Sequence, residues 1–127
     1  MKYPLDELID RRAIIQLKIE RVPGEKGELE REYEDYTKAI EEYVGENVCT
    51  NEEVGDWHKQ FYEIHKVTWG LEADIRKGKE GELGLEEVGR RAIKIRENNG
   101  RRVRLKSLIV EKIGSGYKDI KINHASS

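Results

Sequence analysis

Very little in this chain would staple a fold together or interrupt it. Cys49 is the only cysteine in 127 residues, which excludes a disulfide framework and a metal cluster built on thiolates. Only two prolines occur, Pro4 and Pro23, and both stand where a helix would begin or end. No apolar run approaches the length needed to span a bilayer. The opening "MKYPLDEL" has no resemblance to a secretory signal, so the expectation is a cytoplasmic protein with no membrane contact. No glycine-rich phosphate loop, Ser–His–Asp order or C-x-x-C pair is present, and no nucleophile stands out. Gly78, Gly81 and Gly84 lack the strand and lysine a phosphate loop requires and read as a turn. No cofactor is expected.

What the chain has in quantity is charge. Charged residues make up 39% of it and hydrophobic residues 36%, a ratio that suits long amphipathic helices with wide polar faces and narrow buried stripes. Its wealth of Lys, Glu and Arg with few Gln is the composition of a thermophile protein. The net charge of −2 decides nothing, but its distribution is uneven. Between Glu25 and Glu46 nine acids face three bases, and between Arg90 and Lys112 nine bases face two acids. A basic segment is one signature of a nucleic-acid surface. Here Val and Leu interrupt it, so mutual neutralisation of the two segments, within the fold or across a dimer, is the better reading.

Breaks and periodicity divide the chain into four helices. The first runs from about Pro4 to Val22, with Leu5, Leu8, Ile15, Ile19 and Val22 on its stripe and Arg12 at one charged step. "PGEKG" leads into a second helix carrying Leu29, Tyr33, Tyr36, Ile40 and Tyr43, with Gly45 as its stop. Thr50 and Glu53 have the spacing of a capping box. Beyond them Val54, Trp57, Phe61, Ile64, Thr68, Leu71 and Ile75 alternate by three and four without a miss, a seam of coiled-coil type. The third helix ends near Gly78, and the fourth runs from Leu85 to Ile113 before "GSG". The fold expected is all-α, an antiparallel four-helix bundle of a short and a long hairpin. Residues 1–114 form one domain and 115–127 a C-terminal tail. A long hairpin overhanging a short one leaves apolar surface uncovered, which predicts a homo-oligomer, a dimer above all.

Three residues disturb the fourth stripe. After Leu85, Val88, Ala92 and Ile95 come Asn99, Arg102 and Lys106, where apolar side chains belong. Either the apolar face drifts around the helix, or the three form an inward column that needs carboxylates opposite. Glu7, Asp10 and Glu72 are the candidates. His58, His65 and Glu72 recur every seven residues beside the third seam. That step separates side-chain origins by about 10 Å, too far for one ion, so no metal site is expected.

The stretch "ELIDRRAIIQLKIER" resembles the opening of an all-helical bacterial and archaeal family with no assigned activity. The resemblance rests on Glu7, Leu8, Asp10, Arg11, Ile14, Leu17 and Lys18, on Trp69, Glu72, Ile75 and Arg76, and on Asn99, Arg102, Leu105 and Lys106. His65 stands where that family has Asn. Members tend to be encoded near surface-polysaccharide glycosyltransferases, which implies a loose association with that chemistry and no inherited catalytic residue. It also implies that Asp10, Lys18, Glu72, Asn99, Arg102 and Lys106 belong together, favouring the inward column. With His65 and Trp69 these make the candidate ligand-binding set. Two functions follow: a non-enzymatic accessory module, or a small-molecule binding protein or enzyme in which Lys18, Arg102 and Lys106 grip a phosphate- or carboxylate-bearing ligand such as a sugar nucleotide, with Asp10, Glu72 or His65 as acid–base candidates. The rhythm of "LDELIDRRAIIQLKIERV" resembles a helical chorismate mutase, but the rest of the chain does not follow that pattern.

Overall fold

The computed structural model describes the backbone of residues 3–79 and 84–126 and the side chains of residues 3–75 and 84–114. Among these residues every element is a helix: α1 (Leu5–Arg21), α2 (Gly27–Gly45), α3 (Asn51–Lys79) and α4 (Leu85–Ser126). Among the described residues no helix is long and apolar enough to cross a membrane.

The helix ends have local causes. Pro4 precedes α1, and the Val22 N–H closes it on the Lys18 carbonyl. The turn that follows contains Gly24 at φ 101°, a conformation that a side chain would strain. α2 stops by a different device from the one its sequence suggests. Gly45 is its last helical residue, and Asn47 takes the left-handed conformation at φ 61°. The Val48 N–H reaches the Tyr43 carbonyl and the Asn47 N–H reaches that of Val44, the paired bonds of a Schellman ending. α3 opens on the capping box. The Thr50 N–H donates to Glu53 Oε1 at 3.0 Å, and the Glu53 N–H donates to Thr50 Oγ1 at 3.1 Å.

α1 is the hub. It packs on α2, α3 and α4, while α3 also packs along α4. Its buried residues include Leu5, Leu8, Ile9, Ala13, Ile15 and Leu17, more than one stripe, because neighbours cover it from several sides. Leu5, Leu8, Ile9 and Ala13 meet Ile40 and Tyr43 of α2, Val54, Trp57 and Phe61 of α3, and Leu105 and Ile109 of α4 in one cluster. The α3 seam is therefore unevenly covered. Val54, Trp57 and Phe61 are buried, whereas Ile64, Leu71 and Ile75 are half-buried. α1 has 17 residues against 29 in α3, about 25 Å against about 43 Å of rise, so it cannot follow α3 to its end.

α4 departs from expectation twice. Leu85 is 91% exposed, and Val103 and Leu108 also lie open to solvent; the buried face runs through Asn98, Leu105 and Ile109 instead. The helix also continues through Gly114, Ser115 and Gly116 to Ser126, where a stop and a separate tail were expected. A glycine inside a helix costs only about 1 kcal/mol relative to Ala, so a pair of them need not end it. At Gly70, inside α3, a Cβ would meet nothing within 4 Å, so no close approach of another backbone requires glycine there.

Phe61 is wholly buried at the centre of the cluster. Phe61→Ala is expected to lower unfolding free energy by about 3–5 kcal/mol, and Thr50→Ala by about 1 kcal/mol through loss of the cap. Urea melts of both variants against the parent chain measure the difference.

Candidate functional site

Two polar networks are built on α1, two residues apart in sequence and directed at different neighbours. The first centres on Asp10, whose side chain is fully buried. Its Oδ1 lies 2.5 Å from His65 Nε2 on α3. Its Oδ2 accepts from Arg102 Nε at 3.0 Å and Nη2 at 2.9 Å, and it lies 3.2 Å from Lys106 Nζ. Lys106 in turn donates to Glu7 Oε1 at 2.6 Å. The positions follow from helix periodicity. Arg102 and Lys106 are one turn apart on α4, and Glu7 and Asp10 one turn apart on α1, so each pair presents one face to the other.

The electrostatics of this cluster balance. Burial alone would raise the Asp10 pKa, but the hydrogen bonds and charges of His65 and Arg102 outweigh it and hold the carboxyl below its usual value. An ionised Asp10 only accepts, so His65 carries its proton on Nε2. The hydrogen bond from Lys106 lowers the Glu7 pKa. For Lys106, burial acts downward, yet the bonds to Glu7 and Asp10 leave its pKa raised. Asp10 and Glu7 thus meet Arg102 and Lys106, and Arg11 Nε lies 3.5 Å from the other Glu7 oxygen.

Not all of the expected set joins this cluster. His65, Asp10, Arg102 and Lys106 come together. Asn99 is exposed, and Asn98 is buried in its place, donating to the Ile64 carbonyl at 2.6 Å and to Thr68 Oγ1 at 2.7 Å. A residue three or four positions before Arg102 can share its helix face, and here the four-residue step prevails because it reaches α3. Lys18 and Glu72 are exposed, and Trp69 is half-buried. None of these three makes a polar contact with Asp10 among the described residues. Among the described residues the acidic α2 and the basic α4 form no substantial contact.

The second network went unnoticed in the sequence except as a charged step. Arg12 is 9% exposed, and its hydrogen-bonding partners are neutral. Nε donates to His58 Nδ1 at 3.1 Å and Nη1 to Thr37 Oγ1 at 3.2 Å, while the Tyr33 ring lies 5.5 Å from the guanidinium carbon. Burial lowers the Arg12 pKa. Because Arg12 occupies Nδ1, His58 carries its hydrogen on Nε2, which lies 2.5 Å from Gln16 Oε1. Gln16 Nε2 then donates to Glu20, which also accepts from Tyr62. The chain of bonds leads from a buried cation to the exposed Glu20.

Comparison of the chain with known protein families, with curated proteins and with solved structures gives no match to any of them.

Burial, and secondarily the Arg12 charge, lower the His58 pKa from 6.5 to about 4. A histidine depressed in the folded state contributes stability that is fully present above its unfolded pKa and lost as pH falls toward the folded one. The sign predicts weakening between pH 6.5 and about 4, on the order of 2–3 kcal/mol once partial exposure of the ring is allowed for. Asp10 adds its own loss below the usual carboxylate range. Urea midpoints measured from pH 7 to pH 4 are expected to fall for the parent chain and to fall less for His58→Gln.

Proposed function

We propose that this protein is a non-enzymatic accessory module: an antiparallel four-helix bundle, made of a short and a long hairpin, that assembles as a homodimer. Its buried polar residues hold α1 in one register rather than bind a substrate. The observation that carries this reading is the closure of the Asp10 cluster, where both carboxylate oxygens have partners on other helices and the side chain is fully buried. A buried polar network is a specificity device, because any axial slip leaves a charge without a companion. Two further observations support it. Arg102 and Lys106 are already neutralised by Asp10 and Glu7. Asp10, Arg102 and Lys106 line none of three surface clefts among the described residues, and of the cluster only Glu7 reaches one, beside Arg11 and Tyr36. A loose association with surface-polysaccharide synthesis remains part of the proposal through the family resemblance alone.

The rival reading, a small anionic ligand held by Lys18, Arg102 and Lys106, has less support, since Lys18 is exposed while the other two are partly buried against carboxylates. Basic recognition of nucleic acid through "RRVRLK" is weakened in the same way, because Arg102 and Lys106 turn inward to carboxylates.

Asp10→Asn leaves two cations facing a neutral amide and is expected to cost about 3 kcal/mol, measured by urea unfolding. Joint replacement of Asp10 by Leu, His65 by Leu, Arg102 by Met and Lys106 by Met is expected to regain most of that loss while broadening amide NMR signals, the sign of a lost register. Thermal melts in millimolar inorganic phosphate, succinate or a sugar nucleotide are expected to match the ligand-free melt. A saturable rise in Tm that Arg102→Met abolishes would replace the accessory reading with the ligand reading.

A further inference from the structure

The outer side of the α3/α4 pair carries a cleft of about 570 Å³ to which α1 contributes no lining residue. Its floor is apolar, made by the half-buried Ile64 and the buried Leu105, and Leu108 on its edge is 51% exposed. Its walls differ in charge. The α3 wall carries Asp56 and Glu63 against Lys59, whereas the α4 wall carries Arg101 and Arg104. Among the described residues neither arginine nor Glu63 has an ion-pair partner. Arg102, Lys106 and Lys112 on the same helix all have one.

The levels of these groups are fixed by contacts between α3 and α4. Glu53 meets Lys112, Ile64 and Thr68 meet Asn98, and Asp74 meets Arg91. Those pairs put Glu63 level with the turn from Arg101 to Arg104, on the opposite wall of the cleft. A two-fold axis running along the cleft keeps each residue's level and exchanges the walls. It brings Glu63 of one copy onto Arg101 and Arg104 of the other, twice, while the two apolar floors face each other across the axis. We infer that this α3/α4 face is a two-fold interface with a second copy of the same chain, selected by reciprocal Glu63–Arg101/Arg104 pairing over an apolar floor.

Size agrees with this. Two adjacent helices about 40 Å long and about 20 Å across offer roughly 800 Å² per subunit, the area of a standard stable interface. The inference deepens the dimer reading by naming the face and the pairs, and it rests on that reading.

Sedimentation velocity on the full chain tests it, with circular dichroism confirming that each variant is folded. The parent is expected to be a dimer. Glu63→Arg sets like charges opposite each other, and so does the double variant Arg101→Glu/Arg104→Glu; each is expected to weaken self-association at least tenfold. Mixed in equal amounts, the two variants are expected to associate as tightly as the parent, because both sets of contacts are then complementary. Leu108→Asp, which leaves the pairs intact but charges the floor, is expected to dissociate the dimer as well. A parent dimer indifferent to these reversals, or reversed variants that fail to associate when mixed, overturns this face while leaving the dimer itself standing. A parent that stays monomeric at millimolar concentration overturns both.

Discussion

The arrangement of this protein depends on one carboxylate placed where water cannot reach it. Stranding Asp10 without partners would cost several kcal/mol, so the chain is stable only where His65, Arg102 and Lys106 arrive together. That requirement ties α3 and α4 to one point on α1. Hydrophobic burial around Phe61, Ile9 and Ile109 supplies the drive to collapse, but apolar contacts tolerate sliding. The carboxylate does not. Register is the property it adds.

α1 also carries the opposite case two residues later. Arg12 is nearly as buried as Asp10, yet its close hydrogen bonds go to neutral groups, His58 and Thr37. The two sites differ accordingly in their response to acid. Around Asp10, cations stabilise the ionised carboxylate and resist protonation. Around Arg12, a histidine is kept neutral by burial and by the cation beside it. The hub helix is thus held on one side by compensated charge and on another by a buried cation whose hydrogen bonds go to neutral groups.

Much of this was legible from residue order, and the limits have physical causes. The capping box at Thr50 and Glu53 could be read because both halves lie three residues apart. Arg102 and Lys106 could be read because they interrupt a stripe at its own period, and Glu7 and Asp10 because a buried cation needs an acid. Asn98 was mistaken for Asn99 since steps of three and four both keep a helical face. The ending of α2 was assigned to Gly45 rather than Asn47, as asparagine is the less frequent left-handed residue. The Arg12–His58 bond spans 46 positions and leaves no periodic trace. Nor does periodicity show which helix is the hub, because a helix covered on several sides simply reads as more apolar than its stripe.

The separation of the partners in the chain has a consequence for how the molecule is made. Arg102 and Lys106 lie 92 and 99 positions from the acids they meet. During synthesis the first helix therefore leaves the ribosome long before the bases that will neutralise it. Until those bases have emerged, Asp10 has only His65 to meet. Contacts of such long span slow folding, so the nascent chain holds its opening segment in waiting, hydrated and unlocked, until its last helix returns.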